Sequence, residues 1–261
     1  MALAVDIPGE RLVKSDERVR DLGEVFTPSA TVQEILDLLP EYMWVVHPSP
    51  TFLEPACGDG NFLVAILHRK LERVAASYRA QRLPAGTDAG AAQFHALEAL
   101  ASIYGVDISA DNIIGGAPGH EIGARTRLVT SFVEWHWEVL SIRLNERSLA
   151  HRAAQWIVEH NILVGNMLPA TPDGRETGRE NLPVVEYRFN PTDGSVSLLV
   201  QPMADVFAAS EAVAPPPGQL LYEPNEPEPF WTGAATQLSK VTDPREPRPR
   251  GPLGPDLRRG Q

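Results

Sequence analysis

The chain has 261 residues, 43% of them apolar and 22% charged, which suffices for one ordinary core with an appendage and excludes disorder throughout. Its formal charge of −11 argues against broad electrostatic adhesion to nucleic acid, so any such contact must be local. A single cysteine, Cys57, excludes an intrachain disulfide framework and a thiolate-rich zinc centre, and the seven histidines show no His-Glu-x-x-His spacing, so no metal is expected. No run of about 18 apolar residues occurs, and the basic-then-apolar order of a signal peptide is missing; both predict a cytoplasmic protein without membrane contact.

In chain order, Thr31-Val32-Gln33-Glu34 reads as a capping box opening a helix with Val32, Ile35, Leu38 and Leu39 on one face. Thr51-Phe52-Leu53 is a short apolar run ending at Glu54-Pro55, followed by a Gly-rich turn and a helical pattern through Phe62, Leu63, Ile66, Leu71 and Val74. A helix near Ala91 to Ala101 leads into a second strand, Ile103 to Asp107. Helical patterns near Thr126 to Leu140 and Leu149 to Glu159 precede a third strand, Ile162-Leu163-Val164. A fourth near Val184 to Phe189 and a fifth near Val196 to Val200 flank the turn Asn190-Pro191-Thr192-Asp193-Gly194. Strands separated by helices predict an α/β domain with a doubly wound, mostly parallel, Rossmann-like sheet over residues 14–208, after a short extension at 1–13. From Pro215 onward, 11 of the 24 prolines fall in 47 residues, so 209–261 reads as an extended or disordered tail. Gln219 to Tyr222 and Pro229 to Trp231 are its candidate docking points, and a plain linker is the alternative.

In such a sheet a ligand sits beyond the carboxyl ends of the strands, so the residues just after each strand are informative. Gly58 and Gly60 allow close approach of backbone to a ligand, while acidic Glu54 and Asp59 would repel a pyrophosphate. A zwitterionic ligand with an amino or sulfonium cation suits that loop better. Asp107 ends the second strand, where a carboxylate can accept both hydroxyls of a ribose. Asn166 follows the third, where its carbonyl could accept from the exocyclic amine of adenine. Ribose, adenine and an amino-acid moiety together describe S-adenosylmethionine.

Phe52 to Phe62 resembles the first motif of S-adenosylmethionine-dependent DNA methyltransferases. Gly23-Glu24-Val25-Phe26-Thr27-Pro28 resembles the segment that precedes it in adenine-N6 enzymes of the gamma order. In this order, over roughly residues 14 to 200, the chain is similar to type I and type IIG modification subunits and to short phage and mobile-element proteins described as DNA methylases or restriction endonuclease subunit M. The resemblance implies a methyltransferase core. In it Phe26, Thr27 and Pro28 line the methionine end of the cofactor, and Glu54, Pro55, Ala56, Gly58 and Gly60 form the loop beneath. Asp107 holds the ribose, Ile108 belongs to the same cofactor site, and Asn166, where the family usually has Asp, meets the adenine. It further implies methyl transfer to adenine N6 of DNA, in restriction-modification or in phages. Only the Pro-rich tail follows about residue 208, so DNA sequence specificity would need a specificity or modification-complex subunit as partner, or be absent.

The family's Asn-Pro-Pro-Tyr, whose amide holds the target amine and whose ring stacks on the flipped base, is missing. Asn190-Pro191-Thr192-Asp193 comes nearest, making Asn190 and Pro191 the catalytic candidates; the same residues also read as a tight hairpin turn. Two functions therefore stand side by side: an adenine-N6 DNA methyltransferase, and a cofactor-binding subunit of a modification or phage-defence complex that transfers nothing; methylation of RNA or protein is a third reading. Cys57 follows Ala56 inside the loop and reads as a packed residue, not a nucleophile, and Trp135-His136-Trp137 reads as core or interface.

Overall fold

The computed structural model describes residues 25–116, 122–171 and 178–206, together with Arg20 and Thr236–Gln237. The extension at 1–13, Gly23 and Glu24, and the tail's two candidate docking points lie outside the described residues. The chain divides into two compact units, Met1–Gly165 and Asn166–Gln261.

In the first unit, α1 (Ser29–Asp37) and a 3-10 turn (Glu41–Trp44) precede β1 (Phe52–Glu54). Then come α2 (Asn61–Arg79), α3 (Ala89–Ala101), β2 (Ile103–Asp107), the short α4 (Ala110–Ile113), α5 (Ala124–Leu140), α6 (Leu149–Asn161) and β3 (Ile162–Val164). The three strands form one parallel sheet in the order β1-β2-β3, with Glu54 beside Gly105 and Asp107 beside Val164. The carboxyl ends of β1 and β2, and the loops that leave them, thus share one edge.

Helix packing supplies most of the burial. α2 packs against both α3 and α5, and α6 against the same two. Leu63, Leu67, Leu71, Leu97, Leu100, Leu128 and Phe132 are fully buried between them. Each such side chain contributes about 1.5–3 kcal/mol relative to an exposed one. Buried polar groups anchor the joints: Asn161 donates its amide to the carbonyls of Ala101 (2.9 Å) and Ile103 (3.2 Å), fixing the end of α6 to the start of β2. Trp135 is buried and donates its indole N–H to the Leu71 carbonyl (3.1 Å), and His136 is buried beside it, whereas Trp137 is half exposed.

At α1 the structure departs from the expected pattern. The helix starts at Ser29 after Pro28, no side chain caps it, and the box at Thr31 to Glu34 lies inside it. Val32 and Leu36 are its buried residues, while Ile35 and Leu38 face solvent. α3, by contrast, is capped by Asp88, whose carboxylate accepts the Ala91 N–H at 2.8 Å.

The second unit holds a 3-10 turn (Arg179–Asn181), β4 (Pro183–Asn190), β5 (Ser195–Pro202) and β6 (Thr236–Gln237). These strands do not join the parallel sheet; they form their own antiparallel sheet in the order β4-β5-β6. Alternation sorts the hairpin faces: Val185, Tyr187 and Phe189 lie opposite Val200, Leu198 and Val196. Glu186 and Arg188 occupy the other, exposed face. Among the described residues no helix is long and apolar enough to cross a membrane.

Candidate functional site

The loop between β1 and α2 is wound onto the end of β2. The Cys57 N–H donates to the Val106 carbonyl (3.0 Å), the Gly60 N–H to the Cys57 carbonyl (2.9 Å), and the Gly58 N–H to Asp107 Oδ2 (2.9 Å). Gly58 and Gly60 have φ of +54° and +94°, the left-handed region that L side chains seldom occupy. A Cβ on Gly58 would also lie 3.0 Å from a ring carbon of Phe26, so the buried Phe26 ring would have to give by a few tenths of an ångström.

Asp107 is the hub. Besides Gly58 on Oδ2, its Oδ1 accepts the Ser109 N–H (2.8 Å) and the Asn112 side-chain amide (3.0 Å), and its backbone carbonyl accepts the Gly165 N–H (2.9 Å). A carboxylate offers about four acceptor positions. Three are filled from within, which leaves one on Oδ2. Ile108 beside it is 64% exposed, an apolar surface at the mouth of the same edge.

Phe26, Thr27 and Pro28 come to this loop from the other side. Asn61, the first residue of α2, donates its amide to the Thr27 carbonyl (3.1 Å), and the Pro28 carbonyl accepts the Val32 N–H as α1 begins. Arg127 from α5 completes the clamp. Its Nη1 donates to the Asp59 carbonyl (2.9 Å) and stands 3.0 Å from Asp59 Oδ1, while Nη2 donates to Asn61 Oδ1 (2.9 Å). Sequence reading singled out neither Arg127 nor Asn112. Asn112 lies one turn beyond Asp107 at the start of a helix, a local signal that could have found it; Arg127 is 66 residues from Asn61 and leaves no such trace.

Electrostatically the loop is negative. Burial raises the Cys57 thiol pKa, and Asp107, Glu54 and Asp59 each raise it further, so Cys57 stays a protonated, packed residue. Glu54 is half-buried, and desolvation holds its carboxyl above the ordinary carboxylate range against the opposing Ala56 N–H. Arg127 offsets only Asp59. The N–H groups of Ala56, Cys57, Gly58 and Gly60 all end on protein acceptors, so these four are not open to a pyrophosphate.

Phe26, Thr27, Pro28, Glu54, Pro55, Ala56, Gly58, Gly60, Asp107 and Ile108 thus all belong to the first unit. Asn166, Asn190 and Pro191 belong to the second. Asn166 Oδ1 accepts the Leu168 N–H (2.9 Å). Asn190 closes the hairpin: its side-chain oxygen accepts the Thr192 N–H (3.0 Å) and its carbonyl the Gly194 N–H (2.9 Å). Asp193 Oδ1 takes the Ser195 N–H (2.9 Å), and Gly194 supplies the positive φ that the turn needs. No protein-family model, curated protein or solved structure matches the chain.

Proposed function

We propose that the first unit is an S-adenosylmethionine-binding core of Rossmann-like type and that the chain serves methyl transfer to adenine N6 of DNA. The observation that carries the reading is the convergence on one sheet edge of a left-handed glycine loop, an Asp107 carboxylate with one acceptor position left, and the Phe26 to Pro28 segment. The group fits what is there: net negative charge suits a sulfonium and an amino group, and consumed loop amides disfavour phosphate. Asp107 Oδ2 would accept one ribose hydroxyl, not two, and Ile108 would offer its exposed face to the base. Glu54 and the loop from Pro55 to Gly60 would lie under the methionine end, with Arg127 and Asn61 fixing the loop against Thr27. When bound, the cofactor supplies an activated methyl group whose transfer needs alignment more than acid or base help.

A second reading, a subunit that binds the cofactor and transfers nothing, is favoured by the hairpin. The Asn190 side-chain oxygen, which would have to hold a target amine, is already bonded to Thr192, and no aromatic ring follows Pro191. Incubation of the purified chain with methyl-labelled S-adenosylmethionine and unmethylated DNA, with identification of the product nucleoside, tests the pair. Label in N6-methyladenine establishes the enzyme. Cofactor retained without label establishes the binding subunit, and neither retention nor label refutes both.

A further inference from the structure

A second group of chemistry-bearing residues lies at the opposite edge of the parallel sheet, where β1 and β2 begin. His47 precedes β1, and Glu98 sits in the last turn of α3 just before β2, with His95 one turn earlier on the same helix. His47 Nδ1 stands 2.8 and 3.0 Å from the two oxygens of Glu98, and His95 Nδ1 stands 3.1 Å from Glu98 Oε2. The three ligand atoms lie within 4.8 Å of one another. His95 is fully buried and Glu98 nearly so, whereas the His47 side chain is 24% exposed and opens the group to solvent. β2 alone is five residues long, about 16 Å at the rise of a strand, so this cluster is separate from Asp107 and the loop around it.

The hydrogen bonds around His95 decide what the cluster can hold. Its Nε2 lies 3.1 Å from the Pro84 carbonyl, which can only accept, so Nε2 carries the proton. In the neutral ring Nδ1 then bears a lone pair, and that lone pair faces the Glu98 carboxylate: two acceptors oppose each other inside the protein. A shared proton or a bound metal cation resolves that conflict. An N–H to carbonyl bond on the far nitrogen is the outer support that metal-ligating histidines usually have, because it fixes tautomer and ring orientation. Glu98 is braced in the same way, since its Oε1 also accepts the Ser49 N–H at 3.1 Å. Lys70 acts on Glu98 only through space, its ammonium donating to Ser49 Oγ (2.8 Å) and the Pro50 carbonyl (2.6 Å).

We propose that His47 Nδ1, His95 Nδ1 and a Glu98 oxygen bind one divalent cation of the zinc class, with water in the fourth position on the side where His47 meets solvent. Two imidazoles and one carboxylate suit a borderline ion such as zinc and not calcium or magnesium, which take oxygen ligands. The ion ties the segment from His47 to Pro50 to α3 at the amino edge of the sheet, a structural role that does not depend on the function proposed for the other edge.

The test uses the untagged full-length chain, stripped with a chelator and titrated with zinc chloride alone. One equivalent per chain is expected to bind and to raise the melting temperature. Cobalt(II) in its place should give the visible bands of a four-coordinate site. His47→Ala, at a partly exposed position, should weaken zinc uptake by about 100-fold or more and abolish both the cobalt bands and the rise in melting temperature. His68→Ala, on the exposed face of α2, should leave all three unchanged. Absence of stoichiometric uptake by the wild-type chain, or equal uptake by His47→Ala, overturns the proposal and leaves a proton as the cation between His95 and Glu98.

Discussion

Replacing Asp107 by Asn keeps size and shape and removes charge from the point where three donors meet. The wild-type carboxylate accepts from Gly58 and Ser109 N–H groups and from the Asn112 amide, at 2.9, 2.8 and 3.0 Å. A carboxamide has one oxygen, which can face either the Ser109 and Asn112 pair or Gly58; its NH2 then confronts the donor on the other side. One donor stranded in a part-buried site costs about 1–3 kcal/mol, and each remaining bond weakens by about 0.5–1 kcal/mol once its acceptor is neutral. The sum is roughly 2–5 kcal/mol, which for a chain of this size lowers the melting temperature by on the order of 10 °C. Urea denaturation followed by tryptophan fluorescence, paired with scanning calorimetry, measures both. A variant within about 0.5 kcal/mol of wild type would refute the role of Asp107 as the hub that holds the glycine loop to β2. The same arithmetic means that lost cofactor affinity in Asp107 variants is informative only well below the variant's own melting temperature.

Gly58→Ala should lose about 1–2 kcal/mol through its positive φ, and more where the new methyl meets Phe26; Phe26→Leu in the same chain should recover only the steric part, read by denaturant midpoints. Lys70 is buried with its pKa lowered to about 7 by desolvation, while in the unfolded chain it stays protonated to about 10.4. Between those values the unfolded state binds more protons, so stability should rise with pH from about 7 to about 10, by on the order of 4 kcal/mol, and fall back as pH drops to 7. Lys70→Met should flatten that rise; an unchanged pH profile would mean that Lys70 does not carry it. Asn190→Ala should cost about 1 kcal/mol, because the Thr192 N–H loses its acceptor, and should leave cofactor affinity untouched. If the chain transfers methyl groups through this turn, the same variant abolishes transfer.

What the sequence disclosed was local. The short apolar run ending at Glu54, the glycines before Asn61, the second strand ending at Asp107 and the Asn-Pro-Thr-Asp-Gly turn each carry their structural cause within a few residues. The corresponding elements stand where the pattern put them. At α1 the pattern was less informative. Pro28, with φ already near the helical value, starts the helix without a side-chain cap, and Leu36 takes the buried place expected of Ile35 and Leu38. Long-range devices left no sequence trace at all. Arg127 reaching Asp59 and Asn61, Asn161 joining α6 to β2, and His47 meeting His95 and Glu98 depend on packing between segments about 50 to 70 residues apart. The pairing of β4 with β5 in a sheet of its own likewise follows from the tight turn between them, which can connect antiparallel but not parallel neighbours.

Titration calorimetry of the folded, full-length chain with S-adenosylmethionine reads what binds at the carboxyl edge of β1 and β2. One saturable equivalent is expected, displaced by S-adenosylhomocysteine and unaffected by zinc or chelator, with markedly weaker binding in Arg127→Ala because the loop loses its clamp to Asn61. A folded chain that ignores S-adenosylmethionine, or that binds ATP or a nicotinamide dinucleotide in its place, would contradict it.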